Sequence, residues 1–168
     1  LLNKQIDVCI KEGIASVCLF WDVFPDVIKQ FKDAGILVAH QVGSLKDAEE
    51  AQAAGAHLLI AQGVEAGGHV RGSLSLRELL PRVLRVADVP VLAAGGIIDG
   101  KDIDEMLMLG ADGVVIGTAF LATKESFAHD YHKKRIIRSS EDETVLTNLF
   151  HINWPFGALT RVLPNSVT

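Results

Sequence analysis

Short apolar, β-favouring runs alternate with helix-patterned segments along most of the chain, and this alternation is the feature that most restricts the fold. The runs are 15–20, 36–42, 56–61, 89–94 and 113–116, and helical patterns at 25–34, 45–54, 74–86 and 101–109 separate them. A run such as Ile36-Leu37-Val38-Ala39 has no polar alternation, which is what a strand covered on both faces requires. Alternation of this kind favours parallel strands with helices packed over the sheet. No antiparallel hairpin is expected.

Three helical patterns end in Ala34-Gly35, Ala54-Gly55 and Leu109-Gly110, where glycine can stop a helix in a left-handed turn without steric cost. Residues 54–63 and 109–118 read as two copies of one helix-end, strand and turn unit. Such repetition suits a (β/α)8 barrel of the TIM type. Eight units take about 250 residues. The five units in this α/β chain of 168 residues therefore predict an incomplete barrel of parallel βα units without the N-terminal strands. The chain opens on Leu1 rather than methionine, within what reads as a helix, so a longer natural protein is expected. Residues 1–125 carry the barrel pattern. Residues 126–168, with Trp154-Pro155-Phe156-Gly157, are expected to pack on the barrel or on a neighbouring subunit.

Composition narrows the partners. With 49% hydrophobic residues and a net charge of -5, with its lysines and arginines scattered, the chain offers no basic stripe for nucleic acid and no polybasic cluster for an anionic membrane. No apolar stretch reaches the roughly 18 residues of a membrane helix, and no secretory leader pattern is visible. Small molecules are the expected partners and the cytoplasm the default compartment. Cys9 and Cys18 lack metal-ligand spacing, so no metal site is expected and both read as small buried hydrophobes.

Chemistry concentrates in the turns after the strands. Gly95-Gly96 and Gly117-Thr118 each follow a strand, at the carboxyl ends where barrel enzymes place their sites. Exposed backbone N–H groups there, with a short helix starting near Ala119, would cradle a phosphate. One unit earlier, Glu65-Ala66-Gly67-Gly68-His69 follows the strand that ends at Gln62. Gly67 and Gly68 remove side chains where a flat ring could lie and permit the positive φ that would aim His69 into the mouth. Imidazole, with an ordinary pKa of about 6.5, can accept an acidic C–H proton or hydrogen-bond an anion. The Gln62 amide could meet a heteroaromatic edge as both donor and acceptor. Glu65 is read as structural, pairing with Arg71. His40 is read as a core or supporting residue, His57 as part of the stabilising face, and His129, His132 and His151 carry no metal spacing.

Three ordered segments, 62–69, 90–97 and 110–118, resemble the signature segments of the nitronate monooxygenase family, formerly called 2-nitropropane dioxygenases, and the resemblance runs from about Ile14 to the tail. It implies a flavin mononucleotide (FMN) barrel in which Gln62, Gly67 and Gly68 approach the flavin, while Gly95, Gly96 and Val115-Ile116-Gly117-Thr118 hold the ribityl phosphate. His69 matches the family's catalytic histidine. The implied reaction oxidises a nitronate or nitroalkane with O2 to a carbonyl compound and nitrite, with a homodimer as the candidate assembly. A flavin-type enoyl-acyl-carrier-protein reductase, an NAD(P)H:quinone reductase and an inactive flavin-binding fragment are the competing readings. Family members also carry barrel strands before this region, so an exposed sheet edge is expected at 15–20.

Overall fold

A computed structural model describes residues 2–168; Leu1, expected to fall within a helix, lies outside the described residues. In chain order the first elements are α1 (Leu2–Lys11), β1 (Ser16–Phe20), α2 (Pro25–Asp33), β2 (Leu37–Val42), α3 (Leu45–Ala53), β3 (Leu58–Gln62) and β4 (Gly68–Val70). Then follow α4 (Leu76–Leu84), β5 (Val91–Ala94), α5 (Gly100–Met108), β6 (Gly113–Val115) and the single turn α6 (Thr118–Leu121). The tail contributes α7 (Asp130–Arg138), a 3-10 turn at Glu141–Glu143, β7 (Val145–Thr147) and β8 (Leu159–Val162). Five strands form one parallel sheet in the order β1-β2-β3-β5-β6, with helices between them, and this is part of a β/α barrel. Among the described residues β1 is an outer strand of this sheet, as expected for 15–20.

The repeat seen in the sequence has a physical basis. His57 and Asp112 occupy the same place in the two copies, just before β3 and β6. The His57 backbone N–H donates to the Val38 carbonyl (2.8 Å), and its Nδ1 accepts from the Val38 N–H (3.1 Å). Asp112 does the same with Val91, donating to its carbonyl at 2.9 Å and accepting from its N–H at 2.8 Å. Each pair locks the incoming strand in register at the amino end, because a one-residue slip would break both bonds and turn every apolar side chain to the wrong face.

Packing follows from spacing. Leu76, Leu79, Leu80 and Val83 recur at helical intervals on α4, so one stripe of that helix is buried. They pack with Val42, Leu59, Ala61, Val91 and Ala93. Leu79 and Leu80 are wholly buried, and truncating either to alanine would cost about 2–5 kcal/mol. Ser75 and Glu78 form the capping box that starts this helix. The glycines after α2, α3 and α5 take φ values of 75°, 101° and 104°, the left-handed stops expected of them.

Three expectations need correction. The chain does contain antiparallel pairing: β4 and β7 flank β8 in a second, three-stranded sheet. Its strands come from distant parts of the chain and are three or four residues long, too short to show alternation. The cysteines are not both buried, since Cys9 is half-buried and Cys18 is exposed on the sheet edge. Glu65 does not pair with Arg71. Its carboxylate accepts from the Leu76 N–H at 3.0 and 3.3 Å, while Arg71 reaches Asp22 (3.3 Å) and Asp47 (3.5 Å).

Candidate active site

The turns after β3, β5 and β6 lie side by side, because those strands are neighbours running the same way. Their contact is close enough to dictate residue type. A Cβ on Gly67 would stand 2.6 Å from Thr118 Oγ1, one on Gly95 3.1 Å from the Ala66 nitrogen, and one on Gly96 3.2 Å from Glu65 Cβ. Gly95 and Gly96 also take φ values of 111° and 71°, a left-handed pair that L residues with side chains rarely adopt. The histidine turn is thus pressed against both later turns.

These turns leave main-chain donors free. Among the described residues, the N–H groups of Gly96, Gly117 and Thr118 donate to no protein acceptor. A Cβ on Gly117 would meet nothing within 4 Å, so this side of the rim is open. Free amide donors beside open space are the donor set that phosphate oxygens require. Nearby carboxylates are already engaged: Glu65 with Leu76, Glu105 with Arg77 at 2.6 and 2.7 Å, and Asp102 with the N–H groups of Ile98 and Asp99. Repulsion of an anion is correspondingly reduced.

His69 is the middle residue of β4. Gly68, at φ 80°, makes the left-handed turn that sets the direction of this strand. Gln62, at the end of β3, holds it in place: its Nε2 donates to the His69 carbonyl (2.9 Å) and its Oε1 accepts from the Arg71 N–H (3.3 Å). This buried side chain acts as a substitute strand, tying β4 to a sheet with which it has no ladder. One amide N–H of Gln62 remains for another partner.

The tail supplies what sequence reasoning missed. Trp154 stacks on the His69 ring with centroids 3.8 Å apart and planes 19° from parallel. Trp21, just after β1, meets both rings edge-on, at 5.3 Å from Trp154 and 6.4 Å from His69. Its backbone sits at φ 89°, a strained conformation for a large side chain and one found at functional sites. Phe20 completes the aromatic group, and the Arg71 guanidinium lies 5.4 Å over the Trp21 ring. The aromatic motif around Trp154 was visible in the sequence; its destination was not. On the other side, His40 is fully buried within β2, two residues before its end, with Nδ1 against the Gln41 carbonyl (3.0 Å). Burial, opposed by that contact, pushes its pKa below the ordinary histidine value. Among the described residues no cluster of three or more His, Cys, Asp or Glu could hold a metal ion.

Parallel strand order and covering helices define a β/α-barrel segment, with the glycine turns and the histidine as a candidate site at the strand carboxyl ends. The chain belongs to the nitronate monooxygenase family, whose sequence model matches residues 2–167. A probable nitronate monooxygenase of Staphylococcus aureus (strain MRSA252) is 38% identical over 173 residues, 96% of this chain and 47% of that protein. The fold is similar to FabK from Thermotoga maritima, with a TM-score of 0.90 and 34% identity over 98% of this chain and 51% of that one. It is also similar to a nitroalkane oxidase of Streptomyces ansochromogenes, with a TM-score of 0.85 and 35% identity over 98% of this chain and 49% of that one. The chain thus spans about half the length of the relatives it matches. No described helix is long and apolar enough to cross a membrane.

Proposed function

We propose that this chain is the phosphate-holding and proton-handling part of an FMN-dependent nitronate monooxygenase, which oxidises nitronates and nitroalkanes with O2 to a carbonyl compound and nitrite. Residues 1–125 are its barrel portion and 126–168 an extension that covers the catalytic histidine. The observation that carries the reading is the contact of the histidine turn with both glycine turns, Gly67 against Thr118 above all. One cofactor can then be anchored at one end and meet His69 at the other.

The residues suit the group. The free N–H donors at Gly96, Gly117 and Thr118 would take the phosphate, with Gly95 shaping the turn and Val115-Ile116 leading into it. Gly67 and Gly68 carry no side chain to obstruct a flat ring, and the remaining Gln62 N–H would meet its edge. Bound FMN would supply the electron transfer and the reaction with oxygen. His69 would remove the α-proton of a neutral nitroalkane or hold the nitronate anion. Trp154, Trp21 and Phe20 would exclude water from that ring, which strengthens its polar contacts. Arg71 is a poor anchor for the anion, since Asp22 and Asp47 both face it.

The test is to identify the flavin released from the purified holoprotein, then compare nitronate-dependent oxygen uptake with nicotinamide oxidation in the presence of quinone or enoyl thioester. Nitronate-driven uptake with nitrite release is the expected outcome. Nicotinamide oxidation alone would replace this reading with a reductase, and flavin without turnover would leave only a binding protein.

A further inference from the structure

Among the described residues, three buried side-chain polar atoms have no hydrogen-bond partner: His40 Nε2, His69 Nε2 and Thr160 Oγ1. The last two are not scattered. His69 of β4 and Thr160 of β8 are register partners in the antiparallel ladder, so their side chains rise from the same face as direct cross-strand neighbours. Thr147 of β7 is the next residue in that row. Thr160 is 6% exposed, and a hydroxyl this buried pays a desolvation penalty that only a partner recovers. The same holds for the imidazole nitrogen beside it.

We propose that Thr160 is the positioning residue for His69: its hydroxyl oxygen accepts from Nε2–H in the working enzyme and fixes the ring in one tautomer. A histidine's tautomer is set by the hydrogen bond that one of its nitrogens makes. With the proton held on Nε2, the lone pair is on Nδ1, which has no protein partner and is not among the buried unpartnered atoms. That nitrogen is the one left to receive a proton. Catalytic hydrogen bonds are often unformed before substrate binds and tighten in the complex, so two adjacent unmade partners are the expected resting geometry. Thr147 Oγ1, across the ladder from Thr160, accepts from the Leu149 N–H at 3.2 Å.

Neighbouring groups do not supply an alternative. Trp154 offers its ring face to His69. Arg71, the nearest cation along the strand, is directed to Asp22, Asp47 and the Trp21 ring. Arg161 of β8 is spent on the Val64 carbonyl (2.9 Å) and Thr144 Oγ1 (2.8 Å), and His151 lies against the Asn148 carbonyl. Gln62 binds the backbone of β4 and not the imidazole.

The catalytic meaning of this assignment rests on the function proposed above; the tautomer does not. The experiment is long-range proton–nitrogen NMR of 15N-histidine-labelled holoenzyme for the wild type, Thr160→Val, Thr160→Ser and Thr160→Ala, with His69 assigned through His69→Asn. Wild type and Thr160→Ser should show the Nε2–H form. Thr160→Val and Thr160→Ala should show a mixture, and kcat on neutral nitroalkane should fall about tenfold with recovery in the serine variant, a fraction of what a whole general base supplies. An unchanged His69 tautomer in the valine and alanine variants overturns the assignment. Should either fail to fold, the other and the serine variant still decide it. If the spectra change as expected but the wild type does not turn over nitroalkane, the proposed function fails and the Thr160 contact stands.

Discussion

The two halves of the site are built in opposite ways. The glycine rim, which would take the phosphate in the proposed function, is made of backbone: Gly95, Gly96 and Gly117 follow adjacent parallel strands of the main sheet, and the residues packed on Gly95 and Gly96 come from the turn after the neighbouring strand β3. The histidine side is made of side chains borrowed from afar, with β8, Thr160 and Trp154 arriving from the tail and Trp21 from the start of the chain. In the proposed function, anchoring would therefore follow from the order of neighbouring parallel strands, whereas proton handling would depend on closure by the tail. Changes on one side should spare the other.

The strongest way to break that separation is His69→Asn, which should lower nitroalkane turnover by about 10²–10⁴-fold, the range for a general base. Flavin content after gel filtration should stay near wild type. Equal loss of both would show that the histidine serves the cofactor rather than the proton. Next, Gly96→Val forces a β-branched residue to φ 71° against Glu65; backbone strain of about 1–3 kcal/mol should weaken FMN retention about tenfold or more. The Trp154–His69 stacking should persist, readable as unchanged tryptophan fluorescence in the unloaded protein.

Trp154→Ala tests the other side. Losing an aromatic stack worth about 0.5–1.5 kcal/mol should lower Tm by about 1–6 °C for a chain of this size. It should raise the accessibility of His69 to diethyl pyrocarbonate and leave FMN retention unchanged. The smallest effect concerns His40. Its folded pKa lies below its ordinary value, so the fold favours the neutral ring. Stability from this group is complete above about pH 6.5 and is lost as pH falls through the lower folded value. In His40→Gln the difference between urea midpoints at pH 7.5 and pH 5.5 should shrink.

The same contrast explains what could be read from sequence. The parallel sheet was legible because continuous apolar strands and glycine stops are local signals, and the repeat at 54–63 and 109–118 marks two strands locked by His57 and Asp112 in the same manner. The glycine turns were legible because close backbone approach and left-handed conformations, as at Gly95 and Gly96, require the absence of side chains. Glu65 was misassigned because its partner is a main-chain N–H, at Leu76, which no residue type advertises. Trp154 and Thr160 were missed for a related reason. A three-residue strand carries no periodicity, and the pairing of 69 with 160 spans 91 residues of chain with nothing in composition to mark it.

That pairing has a consequence for synthesis. Since β8 closes the sheet in which His69 sits, a polypeptide still emerging from the ribosome could assemble the parallel sheet of β1, β2, β3, β5 and β6 with its glycine turns well before the imidazole acquires its neighbours. The pairing of His69 with Thr160 would form only after that parallel sheet, and a protease cutting ahead of residue 145 would remove it while leaving the strands of the parallel sheet uncut.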